Sequence, residues 1–105
     1  MPRNNINLAP STVKILEKMG IQIKRARLRR NISVEMIIEQ TGISETTYYS
    51  IEKGVATVSI GAYAAVLNVL ELDKDIELIA LDEEGKKRFW EQNLKRRERA
   101  SRRRV

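Results

Sequence analysis

Three times along this chain an apolar residue precedes a serine, and a second apolar residue follows four positions after it: Ile32-Ser33 with Ile37, Ile43-Ser44 with Tyr48, and Val58-Ser59 with Tyr63. This is the pattern of a helix N-cap. The serine oxygen takes a free N–H of the first turn, and the apolar pair clasps across the cap and fixes the angle at which the chain enters the helix. Between these starts stand Gly42 and Gly54, where a left-handed residue would close a helix. The pattern therefore predicts helices from about Val34 to Thr41, Glu45 to Lys53 and Ile60 to Leu70. Upstream, Leu16, Met19, Ile23 and Ala26 recur at helical spacing. They predict a longer helix that starts near Ser11, with Pro10 just before it, and runs to about Arg30.

Only Gly42, Ile43 and Ser44 link the second predicted helix to the third. So short a link forces a sharp bend, the turn of a helix-turn-helix. Ile43 and Tyr48 face inward as a stapled pair. Ile32, Met36, Ile37, Ile51, Ile60, Tyr63, Val66, Leu67 and Leu70 are expected to complete one small core. Beyond it two readings stand for residues 76–81. Asp73 and Asp75 open a short helix, favoured here, or Ile76, Leu78 and Ala80 alternate with Glu77, Ile79 and Leu81 as a strand that would pair across a dimer. Asp82 caps a further helix over about Glu83 to Arg97, whose large apolar residues are Phe89, Trp90 and Leu94. These either fold back on the body or form a partner-binding face with Trp90 as anchor. Lys95 to Arg104 lacks apolar residues to bury and is expected to be disordered in isolation. The fold class is thus all-α: an arm (1–10), a helix-turn-helix domain (11–81), and a C-terminal helical extension with a basic tail (82–105).

Charge changes the picture more than composition does. The 105 residues carry a net +6. Residues 1–85 have 10 basic and 12 acidic side chains, whereas residues 86–105 have 10 and 2. The body has its own basic cluster, Lys24, Arg25, Arg27, Arg29 and Arg30. Such clusters suit a polyanion. The chain has neither cysteine nor histidine, which excludes disulfides, thiol nucleophiles, Ser-His-Asp triads and ordinary zinc sites. No cofactor or metal is expected, and Asp82-Glu83-Glu84 reads as a solvated turn. Neither an apolar run near the ~18 residues of a membrane span nor a signal-peptide core after Met1 is present. The expectation is a non-enzymatic cytoplasmic protein, associated with the nucleoid.

In a helix-turn-helix the later helix lies in the major groove and its N-terminal residues reach base edges. Here Tyr48 and Ile51 are spaced toward the core, which leaves Glu45, Thr46, Tyr49 and Ser50 outward. Glu45 can accept from a cytosine amino group, and Thr46 can set its methyl against a thymine methyl. Thr47, Tyr49 and Lys53 are within reach of phosphate or flanking bases. Ser33 and Ser44 would present helix N-terminal N–H groups to phosphates. Each residue also has a plainer role: the serines cap helices in any case, Tyr49 can be half-buried packing, and Glu45 can simply favour the helix dipole.

From Met19 to Leu72 the chain resembles the Cro/C1-type (Xre) helix-turn-helix family, through SVEMIIEQTGISETTYYSIEKG and TVSIGAYAAVLNVLEL. The resemblance implies a lambda-repressor-like five-helix domain that dimerises on a pseudo-palindromic operator in double-stranded DNA. It also implies an ion pair between Arg27 and Glu52. By position it puts Glu45, Thr46 and Ser50 at base-contacting places, with Val34, Thr47 and Lys53 near the backbone. The family often has Gln where this chain has Val34 and Glu45, which removes the usual side-chain phosphate contact at Val34. The run VATVSIGAYAAVLNVLELDKDIELIALDEEGKKR looks like HipB-type antitoxins. That likeness implies autoregulation and a HipA-like kinase toxin as partner.

Overall fold

The structure is a computed structural model and describes residues 6–103, with side chains as far as Leu94. Every regular element among these residues is helical: α1 (Pro10–Arg29), α2 (Val34–Thr41), α3 (Glu45–Glu52), α4 (Ile60–Val69), a 3₁₀-helix (Asp73–Leu78) and α5 (Glu83–Arg103). The strand alternative for 76–81 is therefore excluded. The first five residues of the expected arm, and Arg104 of the basic tail, lie outside the described residues.

The local chemistry of the ends explains the helix boundaries. Ser33, Ser44 and Ser59 each accept a hydrogen bond at N3, from the N–H groups of Met36, Thr47 and Ala62. α1 begins one residue earlier than its serine suggests. Pro10 is its first residue and Ala9 its cap, because proline lacks the N–H that a first turn cannot use and already has the helical φ. Gly42 closes α2 at φ 77°, and Gly54 follows α3 at φ 69°. α1 and α4 reach the same left-handed geometry without glycine, at Asn31 and Glu71.

The described residues form two compact units, which divide between Lys74 and Asp75. Leu72 is the last residue packed on the core of the first unit. That core consists of Ile23, Ala26, Val34, Ile37, Tyr48, Ile51, Tyr63, Val66 and Leu70, with Met19, Ile32, Ile43, Val58 and Leu67 packed around it. Two expected core residues stay outside. Met36 is 46% exposed and Ile60 68%. On α2 the buried face runs through Val34 and Ile37, with Ile38 beside them. Met36 lies two residues on from Val34, about 200° around the helix. Ile60 is the first residue of α4, and a helical side chain leans toward the N-terminus, so it overhangs the helix start.

In the second unit, Asp82 Oδ1 caps α5 by accepting the N–H of Gly85 at 2.7 Å. α5 continues to Arg103. Lys, Arg, Glu, Gln and Leu are strong helix formers. In addition, α5 places Glu83 and Glu84 in its first turn and arginines at its end, matching both poles of the helix dipole.

Candidate nucleic-acid interface

α3 is held from behind by α1. Gly20, in the middle of α1, lies so close to the end of α3 that a Cβ there would stand 2.7 Å from the Gly54 nitrogen and overlap the Glu52 carbonyl oxygen. The contact is reciprocal, since a Cβ on Gly54 would overlap the carbonyl oxygen of Leu16. Beside this backbone contact lies a polar clasp. Arg27 Nε donates to Glu52 Oε2 at 3.1 Å and to the Tyr48 hydroxyl at 3.0 Å, and Nη1 donates to the Ile32 carbonyl at 3.1 Å. The Tyr48 hydroxyl in turn donates to Glu52 Oε2. One side chain thus joins α1, the turn before α2, and α3. The side chains of Arg27 and Glu52 are only 11% and 8% exposed.

Burial opposes the Arg27 charge, but the hydrogen bonds and charges of Glu52 and Tyr48 outweigh it and hold the guanidinium firmly protonated. Desolvation, reinforced by the hydrogen bond to Glu52 and its charge, pushes the Tyr48 hydroxyl well above its ordinary range, with Arg27 opposing. The sequence reading treats Tyr48 as core alone and misses its hydroxyl. The available signal is its spacing from Glu52, four residues on the same helical face.

With its inner face fixed, α3 presents the other. Glu45, Thr46 and Lys53 are exposed, and Thr47 and Ser50 are half-buried. Tyr49 is 44% exposed, with its ring edge-on to Tyr48 at 5.8 Å between centroids. It is therefore both a packing residue and an accessible one. Ser44 donates its hydroxyl to Thr47 Oγ1 at 2.9 Å, which ties Thr47 into the cap. Ser44 is exposed and Ser33 half-buried, each at the start of its helix. Val34 is only 7% exposed and part of the core, so no backbone contact comes from its side chain. The turn itself is fixed by Thr41, whose hydroxyl donates to the Ile37 carbonyl at 2.7 Å and accepts from the Ile43 N–H at 3.3 Å.

This is two capped helices joined by a three-residue turn, the second anchored by one face and open on the other. A family model described as a helix-turn-helix domain matches residues 18–79, more than half of the chain. The chain belongs to the helix-turn-helix domain family. At that level it is an Xre-like DNA-binding regulator of all-α fold. No curated protein matches it. Among the described residues no helix is long and apolar enough to cross a membrane, and no cluster of metal-ligating side chains occurs.

The remaining candidates lie on α5. Trp90 and Leu94 are 62% and 56% exposed, and Phe89 is half-buried with its ring edge-on to Trp90 at 5.6 Å.

Proposed function

We propose that this protein is a sequence-specific transcriptional repressor that acts as a homodimer, inserting α3 of each subunit into successive major grooves of a pseudo-palindromic operator. One observation carries the reading: Tyr48 and Ile51 are fully buried, while Glu45 and Thr46 at the start of the same helix, and Tyr49 one turn further on, are exposed. Glu45 accepts from a cytosine amino group, Thr46 meets a thymine methyl, and Ser50 and Tyr49 reach the neighbouring base pairs. Thr47, Lys53 and the capped starts at Ser33 and Ser44 contact phosphates. Its place of action is the nucleoid.

Selection of bound duplexes from a random pool tests this. An enriched site with two half-sites about 34 Å apart is expected. Thr46→Ala and Tyr49→Ala should each relax selection at one position of each half-site, costing about 1–3 kcal/mol there. A pool that remains random after selection at physiological salt rules the reading out.

A second reading draws on the exposed Trp90 and Leu94 of α5. The protein is then the autoregulating antitoxin of a pair, with α5 docking a HipA-like kinase toxin. Co-purification with a kinase encoded beside it, lost on Trp90→Ala, supports this partner. Co-expression without co-purification counts against it.

A further inference from the structure

The charge that faces DNA from α3 is small, because Glu45 is acidic and Glu52 is taken by Arg27. A larger basic surface lies on α1. Lys14, Lys18, Arg25 and Arg29 are all exposed. At about 100° per residue they fall within an arc of about 60° and extend about 22 Å along the helix. The only other α1 residue in that arc is Ser11. Glu17, the only acidic residue of α1, stands about 90° from its centre. Among the described residues none of the four cations is in an ion pair. Arg27 gives the orientation. It points at α3, and each of the four lies between about 140° and 180° around α1 from it. The stripe therefore faces away from the recognition helix, and a duplex seated on α3 leaves it uncovered.

We propose that this outer face of α1 is a second DNA-binding surface, which holds the phosphate backbone of another duplex segment while α3 reads the operator. Its composition favours phosphates over a protein. Ile21 borders the arc, and Ile15 and Leu28, also exposed, stand about 40° outside it, but no aromatic or large apolar residue lies within it, and a stable protein interface needs such an anchor at its centre. A row of cations alone suffices for a duplex, whose affinity comes from counterion release. The inference rests on the DNA-binding class of the chain and does not require a dimer or a repressor. Its consequence is bridging: one molecule can bring two DNA segments together.

The test is a capture assay with the full chain. The selected operator is immobilised and saturated with protein, then offered a fluorescent duplex of unrelated sequence or, separately, fluorescent poly-glutamate. The wild type should capture the second duplex. The combined variant Lys14→Gln, Lys18→Gln, Arg25→Gln, Arg29→Gln should capture at least ~10-fold less. The limit for four lost phosphate contacts at 0.15 M salt is about 1000-fold, and the salt slope should fall by about 3.6. Operator affinity should change by less than about twofold, since the sites are separate. Exchanging each Lys for Arg and each Arg for Lys should preserve capture. Equal capture by the Gln variant overturns the proposal, as does poly-glutamate binding more tightly than the duplex, which would assign the face to an acidic protein. If no operator emerges from selection, the reading of α3 fails by itself. Binding of the unrelated duplex in solution, by wild type and Gln variant, then decides the stripe in the same way.

Discussion

Gly20→Ala sets a local rule directly against a tertiary one. Within a helix, alanine is favoured over glycine by about 1 kcal/mol, and Gly20 is near the middle of the 20-residue α1. Helix propensity alone predicts a stabilised protein. The structure predicts the opposite, because the new methyl would overlap the Glu52 carbonyl and press to 2.7 Å from the Gly54 nitrogen. Both obstacles are main chain, so no rotamer change relieves them. α1 and α3 must separate, and the Arg27 bonds that cross the same interface must stretch. Overpacking of this kind costs about 1–3 kcal/mol and more where backbone has to move. After the propensity gain, a net loss of about 1–2 kcal/mol remains. For a unit of this size that is a fall in melting temperature of roughly 5–15 °C. Gly61→Ala is the control. It is also helical, but a Cβ there would meet nothing closer than the Ser59 hydroxyl at 3.8 Å, so its melting temperature should rise or hold. Thermal unfolding followed by far-ultraviolet circular dichroism measures both. If Gly20→Ala melts at or above the wild type, the close approach of α1 to α3 is wrong.

Three further outcomes follow from the clasp around Arg27. Arg27→Met should destabilise by about 3–5 kcal/mol because it strands the buried Glu52 carboxylate, whereas Arg27→Met with Glu52→Met should recover much of that loss in denaturant titrations. Tyr48→Phe, which deletes only the hydroxyl between them, should cost about 1–3 kcal/mol. The tyrosines also set an alkaline limit. Burial raises the hydroxyl pKa of Tyr48, with help from Glu52, and burial alone raises that of Tyr63. A raised folded-state pKa gives stability that is fully present below the unfolded value near pH 10 and is lost as pH climbs toward the folded value. Stability measured by denaturant should therefore decline above about pH 10, and less steeply in Tyr48→Phe. A flat profile there would remove the case for burial of these hydroxyls.

The parts of this fold that were legible in the sequence are those governed by neighbouring residues. The caps at Ser33, Ser44 and Ser59 and the stop at Gly42 depend on chemistry within four residues, and the structure has them at those places. Most of the core follows from periodicity, but Val34 and Met36 exchange roles. An apolar count treats them alike, whereas only one lies on the face shared with Ile37. Gly20 was illegible because its reason is α3, more than thirty residues away, and nothing local separates a glycine required for close approach from one merely tolerated. The polar clasp was half legible. The resemblance implies Arg27 with Glu52, whereas the Tyr48 hydroxyl had only its four-residue spacing from Glu52 as a sign, and its bond to Arg27 appears only when the helices are set together. On α1 the four outward cations were scattered among other basic residues until Arg27 fixed which side of the helix faces α3.

The closest contact of α3 with α1 is main chain on both sides: two glycines, two carbonyl oxygens and an amide nitrogen. Main-chain atoms are common to every residue type, so this contact is indifferent to what stands on the opposite side of α3. Positions 45 and 46 can be exchanged without retuning the joint that aims them, whereas Tyr49 also packs on Tyr48. A lineage carrying this scaffold can therefore drift from one target sequence to another by single substitutions, each intermediate still folded, provided Gly20 and Gly54 are kept. The same property makes the protein a practical starting frame for laboratory libraries randomised at those two positions.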